Sequence, residues 1–172
     1  EAMKSCIGGV ILYDETIKQS VGSKSVSELI SSSGAVAGIK VDTGAKKLSS
    51  SKEEKITEGL DGLRERLKDY YKIGARFTKW RGVYTISDTY PTKVAISTNA
   101  HALARYASLA QESGMVPIVE PEVLMDGTHT SKICLEKTTE VIKKCFEELI
   151  LQKIDLKGVI LKPNMILPGT AS

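Results

Sequence analysis

Four times along this 172-residue chain an apolar run ends in two polar residues placed two apart: Lys40/Asp42, Lys79/Arg81, Glu120/Glu122 and Lys162/Asn164. Side chains alternate between the faces of a strand, so residues i and i+2 share a face. Each pair therefore puts polar chemistry on one face at the C-terminal end of a strand, where isolated charge is costly. Taken singly, a strand-end lysine reads as a snorkelling surface residue and a Lys–Glu combination as a structural ion pair. Four on successive strands point to one shared site.

The spacing supports that reading. Lys40, Lys79, Glu120 and Lys162 fall 39, 41 and 42 residues apart, the length of one strand-plus-helix unit with generous loops. The patterning predicts strands near 6–12, 35–41, 75–80, 116–120 and 157–162, and helices near 24–32, 53–73, 92–113 and 131–153. In the second helix Ile56, Leu60, Leu63, Leu67 and Tyr70 recur at three and four residues. Gly34, Gly74 and Gly114 supply stops, and Pro91-Thr92 and Thr130-Ser131 fit helix starts. The stretch 47–52 reads as a surface loop. Trp80 is expected to face a helix layer, and Tyr70, Tyr71, Tyr84 and Tyr90 to be packing or surface residues. Gly8-Gly9 is expected to permit close packing inside the sheet's curve.

Alternating strands and helices imply βαβ units and a parallel sheet. A doubly wound sheet binds ligands at a switch point, commonly beside a Gly-rich loop, and no GxGxxG or P-loop is present. A (β/α)8 TIM barrel gathers residues from many strand ends into one mouth, which suits four contributing strands, but it typically needs ~250 residues. The expected fold is therefore α/β, a partial TIM barrel holding approximately strands two to six. The single domain 1–172 is expected to be its central part, with N-terminal and C-terminal portions missing. The start Glu1-Ala2-Met3-Lys4 carries neither an initiator Met nor a signal-peptide pattern.

Composition narrows the partners. Charged residues make up 26% of the chain with a net charge of +3, and the two signs are interspersed. No basic arm points to nucleic acid, and no apolar run approaches the ~20 residues of a membrane span. Cys6, Cys134 and Cys145 are an odd set without CxxC, expected to be reduced core thiols. His101 and His129 form no HxH or HExxH arrangement, so no metal and no cofactor is expected.

The pairs define a chemistry. Lys162 follows Gly158-Val159-Ile160-Leu161, a segment expected to be well buried. A lysine attacks a carbonyl only as the free amine, far from its reference pKa of ~10.4. Burial and a neighbouring cation both favour that form, and Lys79 is the candidate cation. Glu120 and Glu122 lie on the intervening strand, placed to hold the lysines and move protons during carbonyl addition and dehydration. Lys40 and Arg81 add positive charge at the rim, suited to phosphate. The set fits Schiff-base chemistry on a carbonyl substrate.

The segments Gly38-Ile39-Lys40-Val41-Asp42, Gly59-Leu60-Asp61-Gly62-Leu63, Lys79-Trp80-Arg81, Val119-Glu120-Pro121-Glu122 and Leu161-Lys162-Pro163-Asn164-Met165 together resemble class I fructose-bisphosphate aldolase. Leu103-Ala104-Arg105-Tyr106-Ala107 and Pro168-Gly169 share the resemblance, which runs over nearly the whole chain. It implies a cytoplasmic, metal-independent lyase of glycolysis and gluconeogenesis, a homotetramer with a phosphorylated sugar substrate. By resemblance Lys162 is the Schiff-base lysine and Glu120 the acid/base glutamate. Lys79 stabilises charge near the cleaved bond, and Glu122 orients the two lysines. Lys40 and Arg81 bind the distal phosphate and sugar hydroxyls, with Asp42 and Asn164 as supporting substrate-binding candidates.

Some features depart from the family pattern. Leu156-Lys157-Gly158 stands where the family has Leu-Glu-Gly, and Thr43 where a Lys is common. The family's first-strand Asp is expected to lie before Glu1, and the Ser, Gly and Arg residues for the other phosphate beyond Ser172. A non-catalytic aldolase-like protein that binds actin or other cytoskeletal partners is the rival reading. A transaldolase-like enzyme fits Lys79-Trp80-Arg81 and Val119-Glu120-Pro121-Glu122 poorly.

Overall fold

The computed structural model describes residues 2–49 and 51–172. In chain order the elements are α1 (Ala2–Cys6), β1 (Gly9–Leu12), α2 (Asp14–Ile17), β2 (Ser20–Val21), β3 (Lys24–Ser25), α3 (Val26–Ser32), β4 (Val36–Lys40), β5 (Gly44–Lys47), β6 (Lys55–Glu58), α4 (Leu63–Lys72), β7 (Phe77–Tyr84), α5 (Lys93–Glu112), β8 (Val116–Val123), α6 (Ser131–Leu151), a 3-10 turn (Leu156–Gly158) and β9 (Ile160–Leu161).

Five strands form one parallel sheet in the order β1-β4-β7-β8-β9. They advance one neighbour at a time, as successive βαβ units do in a barrel wall. Among the described residues β1 pairs only with β4 and β9 only with β8, so the arc they form is open at both sides.

Alternation along β7 assigns the two faces of the arc. Thr78 and Trp80 are fully buried on the helix side. Trp80 stacks on Tyr106 of α5 with ring centroids 5.4 Å apart. The Tyr106 hydroxyl bonds Thr78 Oγ1 at 2.7 Å and donates to the Ile118 carbonyl at 3.2 Å. This satisfies the polar tip of a wholly buried ring. Ala102, Ala104, Ala107 and Ala110 bring α5 against the sheet, and Leu63, Leu67 and Tyr70 of α4 extend the same core. Phe77, Lys79 and Arg81 lie on the opposite, concave face. Cβ atoms at Gly9 and Gly38 would strike the Phe77 ring, so small residues on β1 and β4 make room for it. Gly8, in contrast, faces open space.

Helix starts follow the expected caps. Thr92 Oγ1 accepts from Ala95 N, Thr130 Oγ1 from Ile133 N, and Ser25 with Glu28 forms a full capping box. Four expectations need correction. Residues 53–62 are not helical: β6 pairs antiparallel with β5, and helix begins only at Leu63. Ile56 and Leu60 mimic the helical period, but Gly59 (φ +126°) and Gly62 (φ +62°) take left-handed conformations that break a helix. Cys6, expected to open a strand near 6–12 as a core thiol, instead closes α1 ahead of β1 and is exposed, unlike buried Cys134 and Cys145. Lys24-Ser25 pairs with Ser20-Val21 as a small hairpin ahead of α3. The segment before Lys162 is only part-buried, and Ile160 is 49% exposed, because β9 has a partner on one side alone.

Candidate active site

The strand register sets the level of each polar pair along the arc. Lys40 is opposite Lys79, and Arg81 is opposite Glu120. Lys40/Asp42 and Lys79/Arg81 are thus level, as are Glu120/Glu122 and Lys162/Asn164, and the one offset, of two residues, falls between β7 and β8. Lys162 follows directly on β9, its backbone N–H donating to the Val119 carbonyl at 2.9 Å. That bond sets its side chain beside Glu120.

Glu120 is the centre of the arrangement. Its carboxylate is 3% exposed. Oε1 accepts from Lys162 Nζ, and Oε2 forms an ion pair with Lys79 Nζ at 2.9 Å. Burial drives Glu120 toward its neutral form, but the hydrogen bonds and charges of Lys162 and Lys79 outweigh it. The carboxyl is held below the usual glutamate range. Lys79 is mostly covered, whereas Lys162 is 58% exposed. A lysine amine, a carboxylate and a second cation therefore touch in sequence, a set able to pass a proton between amine and carboxylate. A cavity of about 250 Å³ adjoins them, lined in part by Glu120, Glu122, Lys162 and Asn164.

A rim of paired charges surrounds this centre. Arg81 Nε donates to Glu122 Oε2, and that bond raises the pKa of the guanidinium against partial desolvation. Glu122 is thus paired with Arg81 and has no such contact with Lys79 or Lys162, where the resemblance implies an orienting role. Lys40 donates to Asp42 Oδ1 and also lies 6.0 Å from the centroid of the exposed Tyr13 ring. The Asp42 side chain is 2% exposed and further accepts from Gly44 N at 3.0 Å and Arg81 N at 3.3 Å. It ties the end of β4 to β7. Asn164, expected as a supporting substrate-binding residue, lines the cavity and also turns its amide into the fold, bonding Val123 N and Thr138 Oγ1 at 3.0 Å each.

Several supporting residues escaped sequence reasoning. Arg66 donates to the carbonyls of Val41 and Gly59, clamping the turn beyond β4. Thr57 Oγ1 donates to the Arg81 carbonyl at 2.7 Å, and buried Asn99 accepts from Thr57 N and donates to Lys55 O. These bonds seat the β5–β6 hairpin beside Arg81. In sequence Arg66 is one charge on a helical face, and Thr57 lies within a false helical period. Among the described residues no three His, Cys, Asp or Glu side chains gather as a metal-ligand set.

The profile of the Glycolytic family, described as fructose-bisphosphate aldolase class-I, matches residues 1–172. The chain belongs to the class I fructose-bisphosphate aldolase family. It is 50% identical over 165 residues to a probable fructose-bisphosphate aldolase class 1 of Xylella fastidiosa, covering 95% of this chain and 49% of that protein. It is 47% identical over 169 residues to fructose-bisphosphate aldolase 6, cytosolic, of Arabidopsis thaliana, covering 97% and 47%. The fold matches a structure of fructose-bisphosphate aldolase from Plasmodium falciparum, solved with TRAP and a small-molecule inhibitor. That match has a TM-score of 0.95 at 42% identity and covers 99% of this chain and 50% of that one. The chain thus spans about half the length of the relatives it matches, and its open arc corresponds to half of an aldolase barrel.

Proposed function

We propose that the full-length aldolase cleaves fructose 1,6-bisphosphate reversibly to dihydroxyacetone phosphate and glyceraldehyde 3-phosphate through a Schiff base on Lys162. The observation that carries this reading is the direct contact of Lys162 with a buried carboxylate whose other oxygen meets Lys79.

With Glu120 as proton acceptor, the Lys162 amine adds to the C2 carbonyl. Glu120 then returns the proton to the carbinolamine hydroxyl, which leaves as water. The iminium so formed accepts the electron pair of the C3–C4 bond as it breaks, giving an enamine and releasing the aldehyde. Protonation of C3 and hydrolysis regenerate Lys162. Lys79 lies close enough to stabilise negative charge at the cleaved bond. Lys40 and Arg81 bind a phosphate and sugar hydroxyls by leaving Asp42 and Glu122 for the substrate. The proton of the C4 hydroxyl and the second phosphate are assigned, by resemblance, to residues on strands outside this chain.

The name of the Arabidopsis relative supports a cytosolic location. Assembly as a homotetramer and contact with actin or other cytoskeletal partners belong to this reading through the family resemblance alone. Cleavage of fructose 1,6-bisphosphate by the full-length protein, assayed in excess EDTA, tests the activity. Turnover is expected to survive EDTA and to fall by at least about 10³-fold in Lys162→Met. Undiminished turnover in Lys162→Met contradicts the assignment, and loss of turnover in EDTA contradicts metal independence.

A further inference from the structure

Lys162 lies where its strand has almost run out. β9 shares only two residue pairs with β8, Ile118↔Ile160 and Val119↔Leu161. The Lys162 N–H to Val119 bond is the next rung, and the rung after it would need an N–H from Pro121, which has none. The main chain that carries Lys162 therefore has few backbone bonds to β8 beyond this point.

Asn164 replaces the missing rungs. Its Oδ1 accepts from the backbone N–H of Val123 at 3.0 Å, three residues beyond Glu120 on the same strand. Its Nδ2 donates to Thr138 Oγ1 and to the Met165 carbonyl, each at 3.0 Å, and lies 3.8 Å from Cys134 Sγ. Thr138 and Cys134 sit one helical turn apart on α6 and are buried, 4% and 2% exposed. The side chain of Asn164 thus bolts the segment carrying Lys162 both to the strand carrying Glu120 and to the helix behind it. Asn164 is half-buried, and Thr138, its partner on α6, is buried, so loss of the bond would leave the Thr138 hydroxyl without it at a cost.

We propose that Asn164 and Thr138 act together as a positioning pair for Lys162, holding its backbone so that Nζ meets Glu120. The proposal rests on the reading of Lys162 as the Schiff-base residue. It makes Asn164 a residue of geometry rather than of substrate contact, and it adds Thr138, which touches no part of the mouth. Misplacement of a reacting group by about 1 Å can cost on the order of a hundredfold in rate. The loss should appear in imine formation and not in substrate binding.

The test uses the full-length enzyme with dihydroxyacetone phosphate, borohydride quenching at timed intervals and quantitation of the adduct on Lys162. Thr138→Val, which keeps the shape and removes the hydroxyl, is expected to slow imine formation by about ten- to a hundredfold. KM for fructose 1,6-bisphosphate should stay within about twofold. Thr138→Ser, which restores the hydroxyl, should remain within about threefold of the parent rate. Asn164→Ala combined with Thr138→Val should be no slower than Asn164→Ala alone, because partners in one tether are not additive. The Val and Ser pair suffices if Asn164→Ala fails to give a cooperative melt. A parent-like imine rate in Thr138→Val, an equal loss in Thr138→Ser, or a loss confined to KM overturns the positioning pair while leaving the Schiff base intact. A parent enzyme that turns over without any adduct on Lys162 overturns both.

Discussion

The centre and the rim of the site use the same ingredients differently. At the centre one carboxylate, 3% exposed, is shared by two lysines from neighbouring strands. At the rim Arg81 and Glu122 pair one to one, with 42% and 27% of their side chains exposed. Buried charge that loses a partner is strongly destabilised, whereas exposed pairs contribute little. The centre is therefore fixed in place and suited to chemistry. The Arg81–Glu122 pair can exchange its protein carboxylate for a ligand phosphate at small cost, which suits recognition.

The largest expected effect separates the two by kinetics. Glu120→Gln in the full-length enzyme keeps the shape of the side chain and removes the proton acceptor. It should lower kcat by about 10² to 10⁴-fold, the range of general acid–base catalysis, with KM little changed. A variant that changes KM alone would move Glu120 to the rim. The next effect belongs to Arg81. Arg81→Ala should raise KM for the bisphosphate by about 10- to 100-fold, equivalent to roughly 1.4–2.8 kcal/mol of charge-assisted contact. The penalty should shrink as salt screens the rim. Salt-independent loss of kcat would erase the distinction.

Asn99→Ala tests whether the hairpin supports the rim. Asn99 is fully buried and bonds Thr57 N, Lys55 O and Ala95 O. Its loss should cost about 1–3 kcal/mol of stability, read as a lower denaturation midpoint, and should raise KM more than it lowers kcat. Unchanged KM would show that the hairpin does not position Arg81.

A smaller effect follows from protonation. Because Glu120 titrates below its ordinary value, the folded state binds its proton less readily than the unfolded state does. Its contribution to stability is present above the unfolded carboxyl pKa, near 4.3, and disappears as pH falls through the lower folded value. Thermal melts of Glu120→Gln should therefore lose part of the parent's decline below about pH 4.3. An identical acid limb in the two proteins would show that the two lysines do not hold the carboxylate.

The order of elements was legible because period-two alternation and caps are local properties. Lys79 and Arg81 could be put on one face, and Trp80 on the other, from alternation along β7. The long helices could be started at Thr92 and Thr130 from their capping side chains. The β5–β6 hairpin was hidden because Ile56 and Leu60 extend the spacing of Leu63, Leu67 and Tyr70, and only backbone conformation at Gly59 and Gly62 separates them. The relative level of the pairs was hidden for a different reason. Sequence spacing makes the four pairs look level, whereas register sets Arg81 opposite Glu120. The side chains reach across that offset, so Lys79 still meets Glu120 and Arg81 still meets Glu122, the partners a level register would give. The inward turn of Asn164 is likewise a property of α6, which carries Thr138, and not of the Lys162-Pro163-Asn164 string.

The central claim is that Lys162 forms the covalent intermediate. Incubating the full-length enzyme with dihydroxyacetone phosphate, reducing with borohydride and mapping the modified peptide by mass spectrometry tests it directly. The account predicts one reduced adduct on Lys162, lost in Lys162→Met. A stoichiometric adduct on Lys79 or Lys40, or full activity after reduction without modification of Lys162, would contradict it.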